Sequence, residues 1–414
     1  MKYLQIILLT VFLVFLSKGS EVYARDGGKE ARLQRKAARI HASALTIDSH
    51  NDTPMWFTDT SFNFGVNHKG KQHSNRVDIP RMEEGGLDAA FFAVFVGQGD
   101  RTQEGNGKAL NNALKTFEAI HQSVKSNSKK SAIATRSSDA RKLEKEGKRA
   151  VFIGLENGYP IGSDLGNVQR FYMLGARYIT LCHTRNNDLC DASTDTMEHN
   201  GITVFGKQVV REMNRLGMMI DVSHISDKSF FDALELSSTP VIASHSCSRA
   251  LCDNPRNLSD DMLKALAEKD GVIQMCILSS YVKTPLPNPQ RDSAQQALRI
   301  KYNGFRDLSE DEMTRARHEW YETDEKYPQV LATVSDVADH IDHIVKIAGI
   351  RHVGIGTDFD GGGAVSGCED VSEMGNITLE LVRRGYSRRA IKLIWGRNLL
   401  RVMKAVENYS VKHS

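Results

Sequence analysis

The sequence predicts an α/β protein, a (β/α)8 TIM-like barrel forming one domain. Three observations carry the prediction. Eight short apolar runs recur along the chain, amphipathic stretches separate them, and six of the eight runs end at histidine or carboxylate residues. Alternation of strand and helix indicates a parallel sheet, and eight such units indicate a closed barrel.

In order, the runs cover residues 44–47, 89–96, 150–155, 177–181, 218–222, 241–243, 272–277 and 352–355. Most are continuous hydrophobic segments, the pattern of parallel strands covered on both faces. Stretches such as 206–216 and 335–348 have helical period. The longest interruption, 281–328, lies between the seventh and eighth strands. It opens with TPLPNP and continues as a charged segment expected to be helical, and it reads as an elaborated loop with its own helix.

The 414 residues carry 54 Lys+Arg against 51 Asp+Glu, a balance of +3 that excludes a strongly basic nucleic-acid binder. Six cysteines are too few for a disulfide scaffold, and their pairing is left open; Cys276, in an apolar run, reads as a small buried hydrophobe. Residues 1–24 combine Lys2, an apolar stretch from Leu4 to Leu16 and a small-residue end at Ala24. This is the pattern of a cleaved secretory signal peptide, so residues 25–414 are expected to be the exported, periplasmic or extracellular domain, with its core at about 40–405.

The chemistry lies where the runs stop. The first ends in Asp48-Ser49-His50-Asn51-Asp52, the third at Glu156, the fourth at His183, the fifth at His224 and the sixth at His245. The eighth runs into Thr357-Asp358-Phe359-Asp360. A barrel brings these ends to one rim. A lone histidine there is ordinarily a loop or capping residue, but so many on one rim would be a costly concentration of polar groups without a cation. Two divalent metals explain the set, because imidazole and carboxylate suit zinc or a similar ion and a glutamate can bridge two of them. His340 and His343, three apart, read as part of an amphipathic surface helix. His73 and His199 receive no role. The run Gly361–Gly363 reads as a tight turn rather than a phosphate loop.

Several segments together resemble the membrane (renal) dipeptidase family of binuclear zinc metallopeptidases, relatives of the amidohydrolases: IDSHNDTP at 47–54, GLENGYP at 154–160, ITLCHTRNN at 179–187, IASHS at 242–246, RALCDNPRNL at 249–258 and GIGTDFDGG at 354–362. The resemblance implies one Zn2+ held by His50 and Asp52, a second by His224 and His245, and Glu156 bridging them. It implies a metal-bridging hydroxide as nucleophile, Asp358 as general base and acid, and His183 stabilising the oxyanion. Arg256 would grip the substrate's free carboxylate, and Tyr281 would line the substrate side. The implied activity is hydrolysis of dipeptides with a free C-terminus. The same site could instead serve a maturase of a peptide natural product or another amide or lactam hydrolase, and a non-catalytic metal-binding scaffold is a third reading. The expected partner is a small-molecule dipeptide or short amide, without nucleic acid or a membrane span after cleavage, and a homodimer is an allowed assembly. Mammalian members carry a lipid-anchor signal whose apolar tail is not matched here, where the chain ends ENYSVKHS. Asp48 and Asp360 fall beside the site as supporting or capping groups.

Overall fold

In a computed structural model the described residues are 28–59, 61–70, 75–305 and 308–413, so the segment read as an export signal lies outside them. Eight parallel strands follow one another around a nearly closed barrel. They are β1 (Ile47–Asn51), β2 (Ala89–Phe95), β4 (Arg149–Glu156), β5 (Ala176–Thr180), β6 (Met219–Asp221), β7 (Ile242–Ser246), β8 (Val272–Met275) and β9 (Val353–Ile355). A short ninth strand, β3 (Ser131–Ile133), absent from the sequence-based reading, pairs with the start of β4 before β5 takes over that edge from Ile153. The last gap is closed by the segment after β9: Asp358 N–H donates to His50 O at 2.9 Å and Asp52 N–H to Phe359 O at 2.8 Å.

Period-two alternation divides the strands into an inner and an outer face. In β2, Ala89 and Phe91 join the inner apolar cluster while Ala90, Phe92 and Val94 pack outward under the helices. Inside, the Phe91 ring stacks on Phe152 at 4.7 Å and on Tyr178 at 5.4 Å. The C-terminal helix Asn398–His413 places Leu399, Val402, Met403 and Val406 in the same cluster and plugs the lower end. With one end filled by hydrocarbon, the polar inner positions collect at the other end. Glu156 shares the inward parity of Phe152 and Gly154, so the strand's own period aims it into the mouth.

Three sequence-based expectations need correction. The first strand runs 47–51, not 44–47, so His50 lies within it, and Asp52 lies just past its end with φ −98° and ψ 19° at the start of a 3-10 turn. The 281–328 loop carries a pair of principal helices, Pro289–Lys301 and Glu310–Lys326, rather than one. His340 is 1% exposed rather than on a surface face: Ser248 N–H donates to its Nδ1 at 3.1 Å, and its Nε2 lies 2.8 Å from Val282 O. That helix is amphipathic, as expected, but its histidine sits on the buried stripe. All six cysteines are free and buried, with Cys247 Sγ donating to Cys276 O at 3.3 Å.

Candidate active site

The rim brings the predicted ligand residues into one cluster centred on Glu156. Its Oε2 lies 3.4 Å from His50 Nε2, and its Oε1 lies 3.2 Å from His224 Nε2, 3.5 Å from His245 Nε2 and 3.7 Å from His183 Nε2. The two oxygens of one carboxylate thus face two histidine groups. On the His50 side, Asp52 Oδ2 and Asp358 Oδ1 stand 3.6 and 3.9 Å from His50 Nε2.

Backbone geometry delivers these side chains at a cost. Asn157, His224, Asp358 and Asp360 all adopt left-handed φ, at 76°, 72°, 61° and 67°. Asn, Asp and His tolerate that region better than most residues, but each such turn still costs on the order of 1–3 kcal/mol and is typical of sites fixed by their surroundings. Gly361 has a separate reason to be glycine, because a Cβ there would run into Asp52 Oδ2 and Asp358 Oδ1. The glycine run is therefore a turn fitted against the cluster, as the sequence predicts.

A second layer of side chains sets the ring orientations, and sequence reasoning missed it. Tyr178 OH lies 2.8 Å from His50 Nδ1 and can donate onward to Ser49 O at 3.3 Å. In the neutral ring the sensible proton order is His50 Nδ1–H to the Tyr178 oxygen and the Tyr178 hydroxyl to the carbonyl, which leaves Nε2 a bare lone pair facing the cluster. His245 has the same arrangement: its Nδ1 lies 2.8 Å from Ser244 Oγ, which donates to Asp221 Oδ2 at 2.6 Å. Asp221 also accepts from Ser244 N and Ser223 N. The one sequence signal for Tyr178 is Gly154 within a strand, since a Cβ at Gly154 would collide with the Tyr178 ring. Asp48 and Asp360 take the supporting places expected of them. Asp48 accepts from Thr357 N and Oγ1 at 2.7 and 2.8 Å, and Asp360 from Thr53 Oγ1, Trp56 Nε1 and Arg76 N at 2.8, 3.2 and 2.7 Å.

The donor set fits divalent cations. His50 Nε2 and Asp52 Oδ1 are buried without a hydrogen-bond partner, and His224 Nε2 and His245 Nε2 face each other at 2.8 Å. Facing ring nitrogens with free lone pairs repel unless a positive centre lies between or beside them. Among the described residues, three groups of ligand atoms lie close enough to share an ion: His50, Glu156 and His245; Glu156, His183 and His224; and His50, Asp52 and Asp358. Glu156 belongs to two of them, and its two oxygens let one carboxylate serve two adjacent positions.

For the side chains alone, burial raises Asp358 well above the ordinary carboxylate range, with Cys276 and Asp52 adding to the effect; burial also raises Asp52, with the negative charge of its neighbour Glu156 adding to it. Burial opposes charge on His50, but Tyr178, Glu156 and Asp52 outweigh it and hold its pKa well above the usual value. Burial and then Arg256 push His183 down to about 3, so its ring is neutral.

Arg256 is 3% exposed, pairs with no carboxylate among the described residues, and leaves its Nε without a partner. Its Nη2 donates to His245 O at 3.2 Å, and its guanidinium lies 5.3 Å from the centre of the Tyr281 ring. A surface salt bridge, the plain alternative for an arginine in such a loop, is excluded by this burial. His199, without an assigned role, has its Nε2 2.9 Å from Asn187 O, and His73 lies outside the described residues.

The description "Membrane dipeptidase (Peptidase family M19)" belongs to the family model that matches residues 34–414. The chain belongs to this family. It is 31% identical to dipeptidase verJ of Clonostachys rogersoniana over 389 residues, covering 91% of this chain and 88% of that one. It is 31% identical to human dipeptidase 3 over 387 residues, covering 92% of this chain and 68% of that one. Among solved structures, the probable dipeptidase PvdM of Pseudomonas aeruginosa superposes with a TM-score of 0.78 at 30% identity, over 92% of this chain and 99% of that one. This M19 protein is accordingly a metallo-dipeptidase, a hydrolase of peptide bonds acting on small-molecule substrates. No helix among its described residues is long and apolar enough to cross a membrane.

Proposed function

We propose that this protein is an exported binuclear zinc dipeptidase that cleaves dipeptides bearing a free C-terminal carboxylate. The observation that carries the reading is the position of Glu156, whose two oxygens face His50 on one side and His183, His224 and His245 on the other. His50 and Asp52 would hold one ion, His224 and His245 the other, and Glu156 would bridge them. When bound, the two ions supply Lewis acidity toward the scissile carbonyl and make a water acidic enough to attack near neutral pH.

The chain's own groups account for the rest of the reaction. Arg256 offers two parallel N–H donors to the substrate carboxylate, with Tyr281 against its guanidinium, and so fixes which end of the dipeptide enters first. His183 is neutral and carries one ring N–H to donate to the carbonyl oxygen as it gains charge. Asp358 takes a proton from the attacking water at a carboxylate oxygen and returns it to the leaving amine. Residues 25–414 would form the mature enzyme once residues 1–24 are removed, and a homodimer is compatible with this arrangement.

A zinc-loaded dipeptide panel tests the reading, with each dipeptide paired to its carboxyl-amidated analogue. Turnover of the free acids is expected, and Arg256→Ala should raise KM for them but not for the amides. Equal effects on both members of a pair would refute carboxylate capture.

A further inference from the structure

The lower end of the barrel, away from the cluster, holds a cavity of about 820 Å³ that the proposed function does not use. It lies between the C-terminal helix Asn398–His413, the chain entering β5 and the segment that follows β3. Its size is usual for a small-molecule site. Leu45, Leu216 and Leu400 line part of it, and six cations share the lining: Arg136, Arg141, Arg177, Arg397, Arg401 and Lys404. Among the described residues Glu407 is the one acid that lines it. Its carboxylate is committed to the loop after β3, accepting from Ser137 N and Oγ at 2.6 and 2.7 Å. Six cations against one acid is a steep local excess in a chain whose overall balance is +3.

Arg177 is the fixed point of this cavity. It is 9% exposed, and its guanidinium lies 4.3 Å from the centre of the Tyr172 ring. It donates to main-chain oxygens alone: Nη1 to Tyr172 O and Ala176 O at 3.1 and 2.7 Å, and Nε to Thr135 O. Among the described residues no hydrogen bond uses its Nη2 and no carboxylate pairs with it. A buried cation held by carbonyls but not neutralised is costly unless an anion completes it. Arg136, Arg397 and Lys404 are exposed and form no ion pair among the described residues. Singly, such residues are ordinary on a surface; here they line the same cavity as Arg177. Burial and then the charges of Arg388, Arg397 and Arg141 lower the pKa of Lys392, as expected where positive charge is not cancelled locally. The six cations come from three separate segments, so they surround a group rather than face it from one side. That arrangement suits a tetrahedral phosphate better than a planar carboxylate. The leucines suit an apolar body attached to it. We propose that this cavity is a second ligand site, separate from the metal cluster, for a phosphate-bearing anion with an apolar body.

The test titrates 1-naphthyl phosphate into the zinc-loaded protein by calorimetry, with 1-naphthol as the uncharged control, and repeats both titrations with the triple variant Arg136→Ala/Arg397→Ala/Lys404→Ala. Wild type should bind the phosphate at least about tenfold more tightly than the naphthol. The triple variant should lose about tenfold or more of that affinity, the scale of a hydrogen bond to a charged group. Its kcat/KM for dipeptides should equal the wild-type value, because none of the three residues belongs to the cluster. Thermal melts check the fold; if the triple variant melts early, Lys404→Glu, a single exposed change, carries the same expectation. Sedimentation with phosphatidylcholine vesicles, with and without phosphatidylglycerol, identifies the source of the phosphate. Anionic vesicles bound by wild type and not by the variant assign a lipid headgroup, and binding of the soluble probe alone assigns a free organic phosphate. Binding of 1-naphthyl phosphate that the variants leave unchanged would put the probe elsewhere and overturn the proposal. Equal affinity for the phosphate and the naphthol, or no binding of the soluble probe up to about 1 mM together with none of the vesicles, would overturn it as well.

Discussion

Replacing Tyr178 with phenylalanine removes one oxygen and leaves the packing in place. The ring is fully buried beside Phe91 and above Gly154, so no large cavity opens. What is lost is the 2.8 Å contact to His50 Nδ1 and the 3.3 Å contact to Ser49 O. The net loss of one neutral hydrogen bond is about 0.5–1.5 kcal/mol, and a buried donor left unpaired costs about 1–3 kcal/mol. Beyond stability, the proton on His50 is no longer anchored at Nδ1. Any fraction of rings carrying it at Nε2 cannot bind a metal through that atom. Groups that orient metal-bound histidines are typically worth 10–100-fold in metal affinity, which is about 1.4–2.7 kcal/mol. We predict that Tyr178→Phe weakens zinc binding by that factor at one of two sites, measured by competition with a chromophoric chelator. Excess zinc should recover most of the activity. Affinity within twofold of wild type at both sites would refute the tautomer argument.

Other expectations follow from the same geometry. Asp358→Asn should lower kcat by at least about a hundredfold while both metals stay bound, because proton transfer is lost and the ligands remain; metal analysis beside steady-state kinetics checks both halves. His41 and His340 lie away from the cluster, and burial lowers the pKa of each below the usual value despite hydrogen bonds to Gly85 O and Val282 O. The unfolded chain therefore binds these protons first, so stability should fall as pH drops below about 6.5. Urea midpoints between pH 7.5 and 5.5 should show that slope, and His41→Gln should flatten it.

Most of the rim cluster is legible in the sequence because a parallel barrel sends strand ends to one rim, and His50, Glu156, His183, His224, His245 and Asp358 are all at or within three residues of one. What the sequence hides depends on contacts between distant strands. Tyr178 is one aromatic residue in an apolar run, and nothing local shows that it ends at His50, 128 positions earlier. Asp221 reads as an ordinary polar strand end until β7 brings Ser244 beside it. β3 has three residues, too few for a periodic signal. His340 shows the reverse error: the helical period is clear, but flanking acids made a buried face resemble an exposed one.

Titrating zinc into metal-free protein while following dipeptide hydrolysis distinguishes a two-ion site from a single ion. Activity should rise to a plateau at two equivalents per chain, and Glu156→Gln, with its bridging charge removed, should neither hold the second equivalent nor reach the plateau. Full activity at one equivalent or none, or an undiminished plateau in Glu156→Gln, would contradict the two-ion site.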